Sequence, residues 1–386
     1  MKYRKINENY EPSILAFGCM RMPVINGEYG QIDEEKAIEM IRYALDNGIN
    51  YIDTAYPYHE GNSETVVGKA LKDGYREKAI LVTKNPVWKV EKYEDFEKYL
   101  DEQLEKLDVE YLDIYLLHAL GADRWAKIVE FDGLRFLDEM KAKGKIKEAA
   151  FSFHGDKKAF ETIADAYDWS LAMIQMNYKD IDDQSTVSAI SYAESKGIPI
   201  AIMEPLKGGQ LANLPESITS IWQDDLKITP VERAFRWAAN FKNVKVILSG
   251  MSTLDQMKEN IELADRLEAD VIGDEEAQMY LDVKKQIESR TQIPCTDCKY
   301  CMPCPEGVNI PGNFMHYNRS YMYEDLEWAT HVYKDLYTEE KRASACIECG
   351  KCEPQCPQNI KIMDRLKEVH EHLNQDIKLK KDHWAL

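Results

Sequence analysis

The feature that most constrains this chain is the spacing of the cysteines near its C-terminal end. Eight of the nine cysteines in the 386-residue sequence fall into two runs, at residues 295–304 and 346–356, and a proline follows each run. The cysteines of the runs are Cys295, Cys298, Cys301, Cys304, Cys346, Cys349, Cys352 and Cys356. Thiolates separated by two or three residues are suited to bind metal together and are poorly placed for disulfides with one another. The runs therefore predict metal-thiolate sites.

The spacing of the cysteines indicates which type of metal site is present. The second run, C-x2-C-x2-C-x3-C-P, matches the pattern of bacterial two-cluster ferredoxins in full, and the first run is one residue shorter before its last cysteine. Structural zinc is the alternative, but its ligands usually come as two separated pairs. Disulfides fit less well, because no signal peptide is evident and we expect a cytoplasmic protein.

The resemblance to ferredoxins also implies how the cysteines are shared between two 4Fe-4S clusters. In ferredoxins the last cysteine of each run ligates the cluster of the other run. One ligand set would then be Cys295, Cys298, Cys301 and Cys356, and the other Cys346, Cys349, Cys352 and Cys304. Residues 313–341, between the two runs, read as helix.

Charge and hydropathy exclude other classes of function. The net charge of −19 argues against general binding of nucleic acid or of an anionic membrane surface. No apolar run reaches the roughly 18 residues that a membrane span requires. We therefore expect neither nucleic acid nor membrane as a partner.

The first 270 residues alternate between short β-branched runs and amphipathic helical stretches. Strands are predicted at 14–17, 51–53, 80–83, 114–117, 148–151, 173–175, 198–203 and 246–248. Helices are predicted at 34–47, 63–73, 91–107, 132–143, 157–167, 184–196, 229–240 and 254–267. Eight β/α units predict an α/β fold, a (β/α)8 TIM barrel, followed by a small C-terminal α-helical ferredoxin-like iron–sulfur domain. A doubly wound sheet is the alternative, but no glycine-rich fingerprint follows the first strand.

The predicted division of the chain is a barrel at residues 1–275 and a two-cluster domain at residues 276–386. We expect a strand or hairpin at Met1–Asn9, a linking helix at Asp274–Arg290 and a helical tail at Ile360–Leu386.

Polar side chains follow three successive predicted strands, at the end of a barrel where the chemistry of such folds takes place. Asp53 and Tyr58 follow the second strand, Lys84 the third and His118 the fourth. An acid, a phenol, an amine and an imidazole at one rim are suited to acid–base chemistry on a carbonyl.

The chain at this rim resembles the aldo-keto reductase family, and with its cysteine runs it is most similar to bacterial and archaeal members that carry a ferredoxin-like domain. The resemblance rests on residues 51–58, Glu64 and residues 67–71, and it covers about the first 270 residues. It implies NAD(P)H-dependent reduction of a carbonyl, or the reverse oxidation of an alcohol. Tyr58 would be the general acid–base, with its pKa lowered by Lys84; Asp53 would hold Lys84, and His118 would orient the carbonyl.

The same resemblance implies the residues that bind the nicotinamide dinucleotide. Ser152 and Gln175 match the positions that hold the carboxamide, and Tyr178 is expected to stack on the nicotinamide. Leu206 and Gly208 match a loop around the pyrophosphate. The remaining predicted cofactor residues are Gly250, Ser252, Gln256 and Asn260. Other branches of the family place Lys and Arg at Gly250 and Gln256 to bind the adenosine 2′-phosphate, so the choice between NADP and NAD stays open.

The substrate is predicted only as a small apolar or aromatic carbonyl compound or the corresponding alcohol. Candidate pocket residues are Met20, Arg21, Tyr56, Trp88, His154 and Trp222. Arg21 has two interpretations, as a partner of a substrate carboxylate or of a cofactor phosphate. For Trp88 and Trp222, packing within loops is an equal alternative.

A nicotinamide moves two electrons together, whereas a cubane cluster moves one at a time, so coupling them calls for a gate such as a flavin. TIM barrels can hold flavin mononucleotide, FMN, after strands seven and eight, which makes FMN a third candidate cofactor. One hypothesis is a redox enzyme whose clusters exchange electrons with the barrel or with a redox partner protein. The second is a carbonyl reductase with purely structural clusters. The third, a non-enzymatic redox or iron sensor, is disfavoured by the intact set of four rim residues.

Overall fold

The computed structural model describes residues 1–181, 186–222 and 228–379. These residues form two units, each with its own internal contacts. The first comprises residues 1–212 and 228–274, and the second comprises residues 213–222 and 275–379. The sequence predicts one boundary, between residues 275 and 276. The structure differs in that residues 213–222 also belong to the second unit.

The first unit is a closed barrel of eight parallel strands. The strands are β1 (Leu15–Gly18), β2 (Tyr51–Asp53), β3 (Ile80–Asn85), β4 (Leu112–Leu120), β5 (Ile146–Phe153), β6 (Leu171–Gln175), β7 (Ile200–Met203) and β8 (Val244–Ser249). Strand β8 pairs with β1, with Leu15 opposite Ile247, and this pairing closes the barrel. The predicted (β/α)8 fold is thus confirmed.

Alternation along the strands decides which side chains enter the barrel. Tyr51, Val82 and Leu116 belong to the cluster inside the barrel, whereas their neighbours Ile52 and Leu81 belong to the larger core between strands and helices. Asp53, Lys84 and His118 lie two residues further along β2, β3 and β4, and side chains two residues apart in a strand point to the same face. The sheet therefore aims three polar side chains at the same end of its interior.

The described residues contain fourteen α-helices. They are α1 (Glu34–Asp46), α2 (Ser63–Ala70), α3 (Tyr93–Leu107), α4 (Ala122–Glu130), α5 (Gly133–Ala142), α6 (Lys157–Ala164), α7 (Thr186–Ser195), α8 (Glu216–Thr219), α9 (Pro230–Ala239), α10 (Leu254–Ala264), α11 (Asp274–Ser289), α12 (Ile310–Met322), α13 (Leu326–His331) and α14 (Ile362–Leu373). The first two residues of the helix predicted at 184–196 lie outside the described residues.

Helix α4 is an addition to the prediction, which places a single helix, at 132–143, after the fourth strand. Two helices follow β4 instead: α4 begins directly after Gly121, and Asp132, in the left-handed region at φ 59°, separates it from α5. Only Ile128 of α4 is buried. The nine residues of α4 are nonetheless amphipathic, so the periodic signal is present in the sequence and the prediction missed it.

The second unit is helical and has a small core of its own. Ile310, Phe314, Tyr333, Leu366 and Val369 are buried there, and six of the clustered cysteines pack against this core. The helix predicted between the cysteine runs is interrupted. It becomes α12, α13 and a π-helical turn at Val332–Leu336, with Glu324 at φ 52° between the first two.

Contacts within the second unit explain why residues 213–222 belong to it. Trp222 is 3 % exposed and its ring lies edge-on to that of Tyr280 in α11, with 4.7 Å between centroids. Arg290 donates a hydrogen bond to the Ser217 hydroxyl (2.7 Å). Trp222 therefore packs inside this unit, in keeping with the packing interpretation, and the proposed pocket role is not needed to explain it.

The expected N-terminal hairpin is present, with Arg4 donating to Pro12 and Ile6 to Tyr10 through the backbone. The helical tail predicted at Ile360–Leu386 is α14, which ends at Leu373, and residues 380–386 lie outside the described residues. Within the described chain, no helix combines the length and apolar character that crossing a membrane requires.

Candidate active site and cluster cavity

An ion pair lies at the end of the barrel interior. The Lys84 ammonium contacts the Asp53 carboxylate at 2.6 Å and also donates to the Thr54 carbonyl at 2.8 Å. Its third contact is the Tyr58 hydroxyl at 3.5 Å, the outer limit of a hydrogen bond. The structure thus brings Asp53, Lys84 and Tyr58 together as the sequence predicts.

Burial and charge act against each other at this ion pair. Lys84 is 1 % exposed and Asp53 is 3 % exposed. Burial alone would lower the pKa of Lys84, but the neighbouring charges of Asp53 and Tyr58 leave that pKa raised. Burial raises the pKa of Asp53, with Lys84 acting in the opposite direction. Each partner therefore needs the other in order to stay charged in the interior.

The pKa of Tyr58 differs from the expectation. We predicted that Lys84 lowers it, and Lys84 does act in that direction. Burial of the phenol has the larger effect, however, and leaves the pKa of Tyr58 raised. The expected net lowering is thus wrong for this structure. The phenol keeps its proton at neutral pH, as a proton donor must.

His118 adjoins the phenol from the fourth strand. Its ring lies edge-on to the Tyr58 ring, at 6.3 Å between centroids, and 5.2 Å from the Trp88 ring. Burial lowers the pKa of His118 well below its ordinary value, and nearby cations, Lys84 first, lower it further. Its Nδ1 atom has no partner among the described residues. The imidazole is therefore neutral, and its buried Nδ1 atom is unsatisfied in the described part of the chain.

Arg124 is a residue of this rim that the sequence analysis missed. It comes from α4, and its guanidinium lies 5.3 Å from the Trp88 ring centroid and donates to the Ala119 carbonyl (2.8 Å). Ala119 has a φ of 53°, and the register of β4 shifts between Leu117 and Leu120. The strand irregularity and the added helix together place Arg124 there, and the amphipathic pattern of residues 122–130 is the signal that could have found the helix.

A buried polar network holds the strand that carries Lys84 from outside the barrel. Gln103 of α3 donates to the Lys84 carbonyl (3.0 Å) and to the Glu64 carboxylate (2.5 Å). Thr83 also donates to Glu64 (2.7 Å), and the Tyr115 hydroxyl donates to Gln103 (2.7 Å). Burial raises the pKa of Glu64. This network connects Glu64, a residue of the signature that suggests the family, to the strand that carries Lys84.

The predicted carboxamide-binding residues lie at the ends of β5 and β6. Ser152 is 1 % exposed, and its hydroxyl oxygen accepts the Ala119 amide (2.7 Å), which leaves its own proton free to donate. Gln175 ends β6 opposite Met203 and is half-buried. Tyr178 is 1 % exposed, with its ring edge-on to Trp237 at 6.5 Å. As placed, that ring packs in the interior and offers no open face for the stacking that we predicted.

The loop after β7 has an unusual backbone. Glu204, Lys207, Gly208 and Gly209 all have positive φ, at 55°, 47°, 67° and 93°. Lys207 is bound to the buried Asp180, whose pKa it holds below the usual value although burial acts in the opposite direction. The amides of Lys207 and Gly209 donate to the carbonyls of Glu204 and Leu206, so backbone hydrogen bonds within the loop hold it in this conformation.

The loop after β8 is held by the predicted cofactor residues themselves. Gln256 accepts the Ser252 amide (2.8 Å), and Ser252 donates to the Arg21 carbonyl (2.8 Å). Asn260 donates to the Ser249 hydroxyl (3.3 Å). These side chains therefore shape the loop around Gly250, next to the N-terminus of α10.

The other predicted pocket residues are more open. Met20 is 50 % exposed, and His154 is also exposed. The Tyr56 hydroxyl donates to Glu102 (3.2 Å), while the ammonium groups of Lys89 and Lys106 lie 5.0 and 4.5 Å from its ring centroid. Tyr56 is thus held at the rim by its neighbours.

In the second unit, thiols from both cysteine runs line one cavity of about 170 Å³. They are Cys301, Cys304, Cys346, Cys349 and Cys352. Ile310 and Leu366 supply apolar wall. Cys304 and Cys301 of the first run thus face three cysteines of the second run, and the crossed ligand sets stay a prediction.

Cys295 of the first run has Cys356 of the second run as a neighbour. Burial raises the pKa of Cys295, and the nearby thiols of Cys298 and Cys356 raise it further. Within the described residues, no three His, Cys, Asp or Glu side chains converge closely enough to hold a single metal ion.

Comparison with protein families agrees with both parts of this description. Residues 15–276 match the aldo/keto reductase family, and residues 294–361 match the 4Fe-4S dicluster domain. The first match covers more than half of the chain.

Individual relatives are more distant. A probable aldo-keto reductase of Glycine max is 35 % identical over 154 residues, which are 38 % of this chain and 42 % of that protein. The chain thus spans less than half of that relative's length. An NADH-specific methylglyoxal reductase of Escherichia coli is 26 % identical over 281 residues, which are 60 % of this chain and 83 % of that protein.

Solved structures share the fold. An aldo-keto reductase of Bacillus halodurans in its holo form superposes with a TM-score of 0.61 at 24 % identity, over 73 % of this chain and 96 % of that one. An aldo-keto reductase of Klebsiella pneumoniae in complex with NADPH superposes with a TM-score of 0.59 at 20 % identity, over 72 % and 93 %. The chain therefore belongs to the aldo/keto reductase family and carries a C-terminal 4Fe-4S dicluster domain.

Proposed function

We propose that this oxidoreductase reduces a small carbonyl compound with a nicotinamide dinucleotide, or runs the reverse oxidation of an alcohol. The observation that carries the proposal is the Lys84 ammonium, which is buried in contact with both Asp53 and Tyr58. A cation placed between an acid and a phenol has a defined use in proton transfer to a carbonyl oxygen.

Each rim residue has a distinct part in the proposed reaction. Tyr58 donates its proton to the carbonyl oxygen, because its raised pKa keeps it protonated. Lys84 stabilises the phenolate that forms, and Asp53 fixes Lys84. Neutral His118 donates a hydrogen bond to the same oxygen and orients it. Bound nicotinamide would supply the hydride to the carbonyl carbon.

The residues present fit a dinucleotide. Ser152 has a proton to donate and Gln175 is half-exposed beside it, so both suit a carboxamide. Leu206 and Gly208 belong to the loop with positive φ that suits a pyrophosphate, and Gly250, Ser252, Gln256 and Asn260 form the loop beyond it. The relatives include an NADH-specific enzyme and a complex with NADPH, so both dinucleotides are candidates here.

We further propose that residues 276–386 hold two 4Fe-4S clusters with crossed ligands and that these clusters transfer electrons. The exposure of Cys298 and Cys349 supports this role, because both ligands reach the surface of their unit, where electrons can pass to a partner protein. Purely structural clusters are the alternative. FMN remains the candidate gate between one- and two-electron transfer.

The first experiment is an anaerobic absorbance titration of the cluster-replete protein with NADPH or NADH and then with dithionite. Bleaching near 400 nm by the dinucleotide would show that the clusters accept its electrons. Bleaching by dithionite alone, with no flavin released on denaturation, would favour structural clusters. Absence of both iron and the 400 nm band would refute the cluster assignment.

The variant Tyr58→Phe tests the carbonyl reductase itself. We expect carbonyl reduction to fall by about 10²–10⁴-fold, since the proton donor is lost. Dinucleotide affinity should stay within a few-fold of wild type. Unchanged reduction by this variant would exclude the proposed role of Tyr58.

A further inference from the structure

The side chain of Arg21, which follows β1, lies across the two loops assigned to the dinucleotide. A Cβ atom built on Gly250 would come within 2.9 Å of Arg21 Cδ, and one on Gly208 within 3.1 Å of Arg21 Nη2. The aliphatic part of Arg21 therefore covers Gly250, and its guanidinium reaches Gly208. The absence of side chains at both glycines makes room for this arginine.

The position of Arg21 is fixed, but its guanidinium has no ion pair. The Arg21 carbonyl accepts the Ser252 hydroxyl at 2.8 Å, which anchors the main chain to the loop after β8. Across residues 1–181, 186–222 and 228–379, the structure gives the guanidinium neither a hydrogen-bond acceptor nor a salt bridge. Nearby Lys207, in contrast, is paired with the buried Asp180. Arg21 is therefore the cation of these loops whose donors are available to a ligand.

Glu204 is the acidic neighbour of this cation. Its pKa is raised by burial, with Lys207 and Arg21 acting in the opposite direction. No hydrogen bond or salt bridge between the Glu204 carboxylate and the Arg21 guanidinium is found in the described part of the chain. The Arg21 side chain is partly exposed, and a guanidinium with free donors suits a phosphate, which it can bind with two parallel hydrogen bonds.

We propose that Arg21 binds a phosphate of the dinucleotide and supplies, from the loop after β1, the positive charge that other branches of the family carry at Gly250. This inference rests on the proposed function, since it assumes that a dinucleotide binds these loops. The three atoms nearest to a Cβ on Gly250 all belong to Arg21. A lysine at position 250 and an arginine at position 21 would thus compete for one space, and this chain has only the arginine.

Equilibrium binding to the intact holoprotein, measured by calorimetry, tests the proposal without recourse to activity. We expect Arg21→Gln to bind NADPH at least ten-fold more weakly, as for the loss of a charge-assisted hydrogen bond, and Arg21→Lys to recover part of the affinity. If only the binding of NADPH weakens, Arg21 contacts the 2′-phosphate. If the binding of NADH weakens equally, Arg21 contacts the pyrophosphate. Arg135→Gln, the same change at an exposed arginine of α5, is the control.

Three results would overturn the inference, and they are distinguishable. Wild-type affinity of Arg21→Gln for both dinucleotides would exclude a phosphate contact while leaving the proposed function standing. A change confined to the KM of a carboxylate-bearing substrate would assign Arg21 to the substrate. No binding of either dinucleotide by the wild-type protein would refute the proposed function itself.

An exchange of the cation between the loops is the sharper test. The backbone at Gly250 lies outside the left-handed region, and the three heavy atoms nearest to a Cβ atom there all belong to Arg21, so removal of the Arg21 side chain opens the space that a lysine needs. We expect Arg21→Ala to weaken dinucleotide binding and the double variant R21A/G250K to restore it. Gly250→Lys alone should bind no better than wild type. A double variant that folds, as judged by circular dichroism, but binds no better than R21A would contradict the proposed exchange.

Discussion

The rim of the barrel and the cysteines of the C-terminal unit are organised by opposite means. Lys84 and Asp53 are almost fully buried, and hydrogen bonds within the chain satisfy and orient the Lys84 ammonium. In the C-terminal unit Cys298 and Cys349 are exposed, and the other six clustered cysteines are only half-buried around a small core. The barrel thus positions its reactive groups by packing, whereas the cysteines form a donor set that bound clusters would complete.

The largest effect expected from this difference is loss of the C-terminal fold when cluster ligation fails. We expect Cys352→Ala to lower the thermal stability of that unit strongly while the barrel keeps its own unfolding transition, because the small core alone is marginal. Differential scanning calorimetry and limited proteolysis would resolve the two units. Cys19→Ala, at the buried ninth cysteine in the barrel, is the control and should leave the iron content unchanged. A single unshifted transition in Cys352→Ala would contradict the comparison.

The crossed ligand sets predict which cysteine substitutions resemble one another. Cys304→Ser should perturb the same cluster as Cys349→Ser, since the crossed sets assign both cysteines to one cluster. Cys356→Ser should instead resemble Cys298→Ser, because Cys356 neighbours Cys295. Electron paramagnetic resonance of the reduced proteins would compare the four spectra. Pairing of Cys304→Ser with Cys298→Ser would show that each run holds its own cluster.

At the rim, Lys84→Met should leave Asp53 buried without its partner. We expect a loss of about 3–5 kcal/mol in the free energy of unfolding, together with a fall in carbonyl reduction of at least about 10²-fold. The double variant D53L/K84M should regain stability but not activity. Lys69→Met, which breaks the exposed pair with Glu34, is the control and should cost about 1 kcal/mol or less. Equal losses of stability in Lys84→Met and Lys69→Met would show that burial adds nothing to the strength of the ion pair.

The smallest expected effect is that of pH on carbonyl reduction. The pKa of Tyr58 is raised, so the phenol keeps its proton as pH rises through neutrality, and the pKa of His118 is lowered, so the imidazole stays neutral as pH falls. We expect kcat/KM for reduction to vary little between about pH 6 and 9, apart from effects on the substrate. A decline centred near pH 7 would mean that one of the two groups titrates in its ordinary range.

The sequence predicts the barrel well because its signal is repeated in every unit. Each strand is a short β-branched run, and strand β2 begins and ends at the predicted residues, whereas β4 extends beyond its prediction to Leu120. The cluster ligands are equally predictable, because the spacing of cysteines within ten or eleven residues needs no tertiary information. Helix α4 is amphipathic and could have been predicted in the same way. The assignment of residues 213–222 to the second unit could not, since contacts with distant Arg290 and Tyr280 define it.

The sequence by itself determined the residue types and their order: an acid, a phenol, an amine and an imidazole after successive strands, and cysteines in two runs. Only the tertiary structure decided their state. The net rise in the pKa of Tyr58 depends on how deeply the phenol is buried. The place of Arg21 across Gly208 and Gly250 depends on three loops, the first of which lies far along the chain from the other two. Spacing along a chain can specify ligands within one loop, but desolvation and contacts between loops exist only once the barrel has closed.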